Sequence, residues 1–273
     1  MRTGSKIGAF LLLAMSACGG TTSADPADAA DDAQADAAIT IPGDSGPPPE
    51  DATTVDAADA GPTRFCDSVV PAPVFCDDFD VGALGKSWDF FLTSPPGTGV
   101  LDGTDVRSTP SAFVITTAMV NAAESANLLL RKSVTGTPAR VRLAFDVLVP
   151  DLPISGAIGI ATLDLSTDHL FTLYLRDDSA SPAASLVEAR PGVSALVRNN
   201  FALFAAKAWV HVVLDLKPAQ SLGSLSFDGA NVLDGIAIDP AVTDPTIRVG
   251  VLTYGPANAY VARFDNVTLD YSP

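Results

Sequence analysis

Little in this chain suits metal or nucleophile chemistry, because its 273 residues include only two histidines, His169 and His211, and three cysteines. No H-E-x-x-H zinc helix, G-x-S-x-G elbow or phosphate-cradling glycine loop occurs. Glutamate is scarce too, with only Glu124 and Glu188 beyond residue 50. Retaining glycoside hydrolysis needs two carboxyl groups about 5 to 5.5 Å apart. Asp164 and Asp168, on one strand face, are separated by four residues of roughly 3.3 Å each. Asp177 and Asp178 are neighbours and face oppositely in a strand. Basic residues number 16 against 32 acids, a net charge of −16, and they form no stripe, which excludes a nucleic-acid partner. Tryptophan is limited to Trp88 and Trp209.

What is present begins with an address. Arg2 and Lys6 precede an apolar run from Ile7 to Ala17, shorter than the ~20 residues that span a bilayer, so residues 1–17 form a signal peptide. Ser16-Ala17-Cys18 resembles the lipobox of bacterial lipoproteins, with Met15 where leucine is usual. The resemblance implies cleavage, acylation of Cys18 and a lipid-anchored place in the cell envelope, at the outer membrane or cell surface or facing the periplasm. Cleavage by ordinary signal peptidase would instead release a secreted protein. With Cys18 acylated, Cys66 and Cys76 remain as a pair that an oxidising compartment joins.

Gly19 to Pro62 carries ten acids, no base and no aromatic residue. Like charges repel and Pro47-Pro48-Pro49 stiffens the middle, so residues 18–63 are expected to form a disordered, extended tether. From Thr63 onward the chain has 14 bases against 22 acids, and residues 64–273 suit one all-β domain. Short runs of β-formers recur there between Gly, Pro, Asp and Asn punctuation. They cover 113–119, 127–134, 140–149, 157–165, 170–176, 209–217, 222–227, 247–254 and 260–271. The spacing predicts an antiparallel β-sandwich, with Val141, Leu143, Phe145, Val147 and Val149 on one core face and Val210, Val212, Leu214 and Leu216 on another.

Trp209-Val210-His211-Val212-Val213-Leu214-Asp215 with the later Asp228-Gly229, the opening Phe75-Cys76-Asp77-Asp78-Phe79-Asp80 and the closing Phe264-Asp265-Asn266-Val267-Thr268-Leu269 resemble the motifs of concanavalin A-like lectin/glucanase and laminin-G-like jelly rolls. The resemblance covers Cys66 to Tyr271. It implies a structural calcium ion held by Asp80 and Asp265 with Asp78 as a third ligand; the alternative is that these acids accept turn hydrogen bonds or pair with Arg263. It further implies a concave sheet presenting Arg142, Asp146, Tyr174, Arg176, Trp209 and His211 to a polar ligand, with a half-buried structural role the alternative for His211. The laminarinase-type E-x-D-x-x-E is missing. The expectation is therefore a non-catalytic module binding polysaccharide or another envelope component, with no catalytic residue. A structural or adhesion role against a surface protein is the alternative, and a divergent glycoside hydrolase or lyase is the third.

Overall fold

The computed structural model describes residues 63–121, 125–152, 156–166, 169–177, 182–190, 193–238, 242–253 and 257–272, with the backbone alone described over 193–202. The expected signal peptide, acylated Cys18 and nearly all of the acidic stretch lie outside these residues. After a single helical turn, α1 (Phe65–Ser68), the described chain is almost entirely strand. One sheet contains β1 (Phe75–Asp77), β3 (Gly97–Asp102), β4 (Ala112–Thr117), β6 (Arg140–Leu148), β11 (Val210–Lys217), β12 (Leu222–Phe227), β13 (Ala230–Ala237) and β15 (Tyr260–Ser272). Its order is β13-β12-β11-β6-β15-β4-β3, with β1 also pairing β15. The other contains β2 (Phe90–Thr93), β5 (Asn127–Ser133), β7 (Ile158–Ser166), β8 (His169–Asp177), β9 (Pro182–Arg190), β10 (Val193–Ala202) and β14 (Thr246–Thr253). Its order is β10-β9-β8-β7-β14-β5-β2, and every pairing in both sheets is antiparallel.

Side-chain alternation explains why these sheets stack. Along β11, Val210, Val212, Leu214 and Leu216 are buried while His211, Val213, Asp215 and Lys217 are half-buried. Their register partners on β6 are Val147, Phe145, Leu143 and Val141, all buried. The opposite sheet answers with Leu128, Leu130, Ile158, Ile160, Leu163, Phe171, Leu173, Ile247, Val249 and Val251. A file of rings, Phe79, Phe113, Phe264 and Phe145, crosses the core with successive centroids 5.7, 6.1 and 6.2 Å apart. Asp228 and Gly229 both take positive φ between β12 and β13, the backbone that a two-residue hairpin turn requires.

The amino-terminal end of the domain is clasped covalently. Cys66 and Cys76 form the expected disulfide, joining α1 to β1, whose Phe75 pairs Leu269 on β15. Buried Asp78 accepts from the Arg64 guanidinium at 2.9 Å and the Cys66 amide at 3.0 Å. Trp88 is core: it meets Phe75 edge-on at 4.9 Å and donates its indole N–H to Asp77.

Candidate functional site

The outward face of the seven-stranded sheet carries a groove of about 310 Å³ lined by Phe90, Leu92, Asn127, Leu129, Arg131, Arg248 and Leu252. Strand register builds it. Arg131 on β5 lies directly opposite Arg248 on β14, with Thr162 beyond Arg248 on β7 and Phe90 beyond Arg131 on β2. A second row runs Asn127, Leu252, Gly159 and Tyr174 across β5, β14, β7 and β8. Between the rows both central strands are irregular, with register shifts at 159–161 on β7 and 249–252 on β14. Such bulges bend a sheet and re-aim side chains.

Two glycines allow close approach in the middle of this face. A Cβ on Gly159 would lie 3.1 Å from the Thr172 methyl and 3.4 Å from both the Tyr174 ring and Leu252, so these side chains close over the glycine backbone. Gly250 has φ +137°, and a Cβ there would fall 2.1 Å from the Leu128 carbonyl oxygen. The charges are held in place. Arg248 contacts the Asp164 carboxylate at 2.5 Å, and the Arg131 guanidinium lies 5.2 Å from the centre of the Phe90 ring, which is 48% exposed. Burial raises the Asp164 carboxyl above the usual range against the pull of Arg248 and Arg131. Asp164 Oδ1 and Asn127 Oδ1 are both buried without a hydrogen-bond partner.

The six side chains expected to share one concave face do not meet. Tyr174 and Arg176 belong to β8 in the seven-stranded sheet, whereas Arg142, Asp146 and His211 lie in the other sheet and half-buried Trp209 immediately precedes its β11. Period-2 alternation identifies the outward positions of a strand but not the sheet to which the strand belongs. Nor is Asp146 available, being only 4% exposed. It accepts from Asn266 Nδ2 at 2.8 Å and bonds His211 Nδ1 at 2.9 Å, and Arg107 approaches it at 4.0 Å. His211 thus takes the structural role that the sequence left open. Missing from the sequence reading were Asn127, Arg131, Arg248 and Gly159. The signal that marks the two arginines is a basic residue at the end of one apolar run, Leu128-Leu129-Leu130-Arg131, and within another, Ile247-Arg248-Val249.

The acids expected to bind calcium work as hydrogen-bond acceptors instead. Asp265 receives the Arg107, Ser108 and Asn266 amides at 3.0, 2.9 and 2.8 Å and the Ser108 hydroxyl at 3.3 Å, pinning the β3–β4 connection across the β15 bulge at Asn266. Asp78 is committed to Arg64, Cys66 and Asp80. Asp80 accepts from the Ser111 amide, leaving its buried Oδ2 without a partner. One open oxygen beside a guanidinium does not fit a cation that takes six to eight oxygens. Among the described residues no group of three His, Cys, Asp or Glu has a metal-holding arrangement. Arg263 pairs with Asp102 at 3.3 Å rather than with the expected acids.

Burial pushes the Asp265 carboxyl up to about 7, although the three amides pull it down. The native state therefore keeps a proton that the unfolded chain releases, and this contribution to stability falls as pH rises from about 4 to about 7, on the order of 4 kcal/mol. Melting temperatures across that window should decline less steeply in Asp265→Asn than in the parent protein; parallel slopes would remove Asp265 as the cause.

No family model and no curated protein matches the chain. Among solved structures, the fold is similar to that of an endo-β-1,4-glucuronan lyase from the fungus Trichoderma reesei, at 17% identity and a TM-score of 0.58 over 72% of this chain and 95% of that one. A cellulose-induced protein, Cip1, is similar at 13% identity and a TM-score of 0.51 over 71% and 96%. The jelly-roll sandwich implied by the sequence motifs is thereby shown. The non-catalytic reading and the expectation that the chain is no enzyme, both inferred from the missing E-x-D-x-x-E, are corrected by the glucuronan lyase match: the missing motif excludes one hydrolytic chemistry, and the same fold is found in a lyase.

Proposed function

We propose that this chain is a polysaccharide lyase that cleaves uronate-containing chains in the groove of the seven-stranded sheet, held at the cell envelope by a lipid on Cys18. The observation that carries the reading is the pair Arg131 and Arg248, directly opposite each other on adjacent strands. Like charges at paired positions destabilise a sheet, and a broken local rule beside a groove is a mark of function. Asp164 partners Arg248 alone at contact distance, so the two guanidinium groups outnumber the carboxylate beside them, and a uronate carboxylate placed between them supplies the second negative charge with bidentate geometry. The glucuronan lyase fold supports the same class.

The chemistry follows from what the face presents. Neutralising the carboxylate makes the proton on the adjacent ring carbon removable and stabilises the negative charge that develops there. Arg131 and Arg248 fit that role, and the unpartnered Asn127 oxygen fits a sugar hydroxyl donor. We assign the acid–base role to Tyr174, whose ring packs over Gly159 next to Leu252 of the groove wall; Asp164 is held by Arg248, His169 is buried against Glu188 at 2.9 Å and His211 belongs to the other sheet. In its ionised form the Tyr174 oxygen takes the proton from C5. That electron pair forms the C4–C5 double bond, the C4–O bond breaks, and the departing oxygen recovers the proton from the phenol. No proton is gained or lost overall.

Location rests on the basic start, the apolar run and the small residues before Cys18, with the acidic stretch as spacer; the Cys66–Cys76 disulfide suits an oxidising compartment. Incubating the full chain with a panel of uronate polymers, both homopolymers and alternating copolymers, should generate the ultraviolet absorbance of unsaturated ends. Absence of that absorbance with every polymer, at high enzyme concentration, would sink the lyase reading.

A further inference from the structure

Beside the arginine-lined groove, one step along β14, lies a second groove of about 300 Å³ lined by Asp164, Ser166, Thr243, Asp244 and Thr246. Thr246 and Arg248 are two residues apart on the same outward face, a separation of roughly 7 Å, and Asp164 is the register partner of Thr246. The Asp164–Arg248 ion pair therefore forms the boundary between the two grooves. Their chemistry differs sharply. The first holds two guanidinium groups and no carboxylate, while the described lining of the second has two carboxylates, three hydroxyls and no cation.

Resting on the lyase reading, we propose that the second groove is a subsite for an uncharged sugar, so that the substrate is a heteropolymer in which a uronate is followed by a neutral residue. A second uronate there would set its carboxylate against Asp244 and Asp164 with no cation among the lining residues, while Arg248 faces the uronate of the first groove. Juxtaposed like charges of this kind are a strong device for rejecting wrong partners. A neutral sugar brings hydroxyl donors instead, and the acids and hydroxyls of this groove accept them. Asp164 Oδ1, buried without a hydrogen-bond partner, is one such acceptor. Asp244 uses Oδ1 to receive the Gly136 amide at 2.7 Å, which holds its carboxylate at the rim.

The test compares a homopolyuronide with unsulfated hyaluronan, whose uronates alternate with an uncharged sugar, using the full chain and measuring both unsaturated-end formation and calorimetric binding of size-matched oligosaccharides. The expected result is a preference of roughly a hundredfold for the alternating chain. Thr243→Arg, at an exposed loop position, should narrow that preference by supplying a cation, and Ser166→Arg serves as a second variant with the same expected direction. Equal or better binding and cleavage of the homopolyuronide, unaltered by either arginine, overturns the subsite while leaving the lyase reading intact. Preferential binding of the alternating chain with no unsaturated product upholds the subsite and sinks the lyase reading.

Discussion

Tyr174→Phe is expected to lower unsaturated-end formation by roughly 10²- to 10⁴-fold, the usual worth of a positioned proton-transfer group, while oligosaccharide binding stays within about twofold. The substitution keeps the ring, so the surface that leans over Gly159 toward Leu252 persists and only the oxygen is lost. A purely structural tyrosine gives a different pattern, with a lower melting temperature and weakened binding together. Comparable turnover by Tyr174→Phe would remove the phenol from the proton transfer. Arg248 is less suited to this experiment, because its removal would leave the partly buried Asp164 carboxylate without its partner and mix a stability loss with a catalytic one.

Gly250→Ala should cost about 3 kcal/mol and lower the melting temperature by roughly 10 °C. Two independent obstacles act at this position. The backbone sits at φ +137°, and an added Cβ would be 2.1 Å from the Leu128 carbonyl oxygen. Relief requires β14 to draw away from β5 at the point where Gly250 pairs Leu129, the floor of the groove, so activity should fall along with stability. Gly229→Ala provides the comparison: its φ is +80°, but nothing lies within 4 Å of the new Cβ, and a loss nearer 1 kcal/mol is expected. Matching melting curves for the two variants would show that the close approach of β5 contributes nothing.

Much of the sandwich was legible before any coordinates. The runs at 140–149, 209–217 and 222–227 agree with β6, β11 and β12 to within a residue or so, because β11 and β12 alternate between a buried and a more exposed face and β6 carries an alternating file of large apolar side chains. Those that escaped have weaker patterns. β9, Pro-Ala-Ala-Ser-Leu-Val-Glu-Ala-Arg, is rich in alanine and carries a buried glutamate, and β13 contains an Asp-Gly pair. The candidate site was only partly legible. Tyr174 and Arg176 were singled out as outward residues, but in company with Arg142, Asp146, Trp209 and His211. Arg131 and Arg248, more than a hundred residues apart in the chain, share no local pattern that links them.

The sequence alone determined the class of the fold, the pairing of Cys66 with Cys76 and the lack of the laminarinase-type E-x-D-x-x-E, since alternation, cysteine number and motif spacing are properties of the chain read in order. Tertiary structure decided which outward faces belong together. Sheet order places β14 between β7 and β5, and the bulges beside Gly159 and Gly250 hollow that face. Long-range strand pairing, not spacing, sets two arginines side by side, and it also buries Asp146 and Asp265 among donors that cover them. Side-chain alternation is fixed within each strand, whereas the neighbours of a strand are chosen by the packing of the whole sandwich, and a binding groove is made of neighbours.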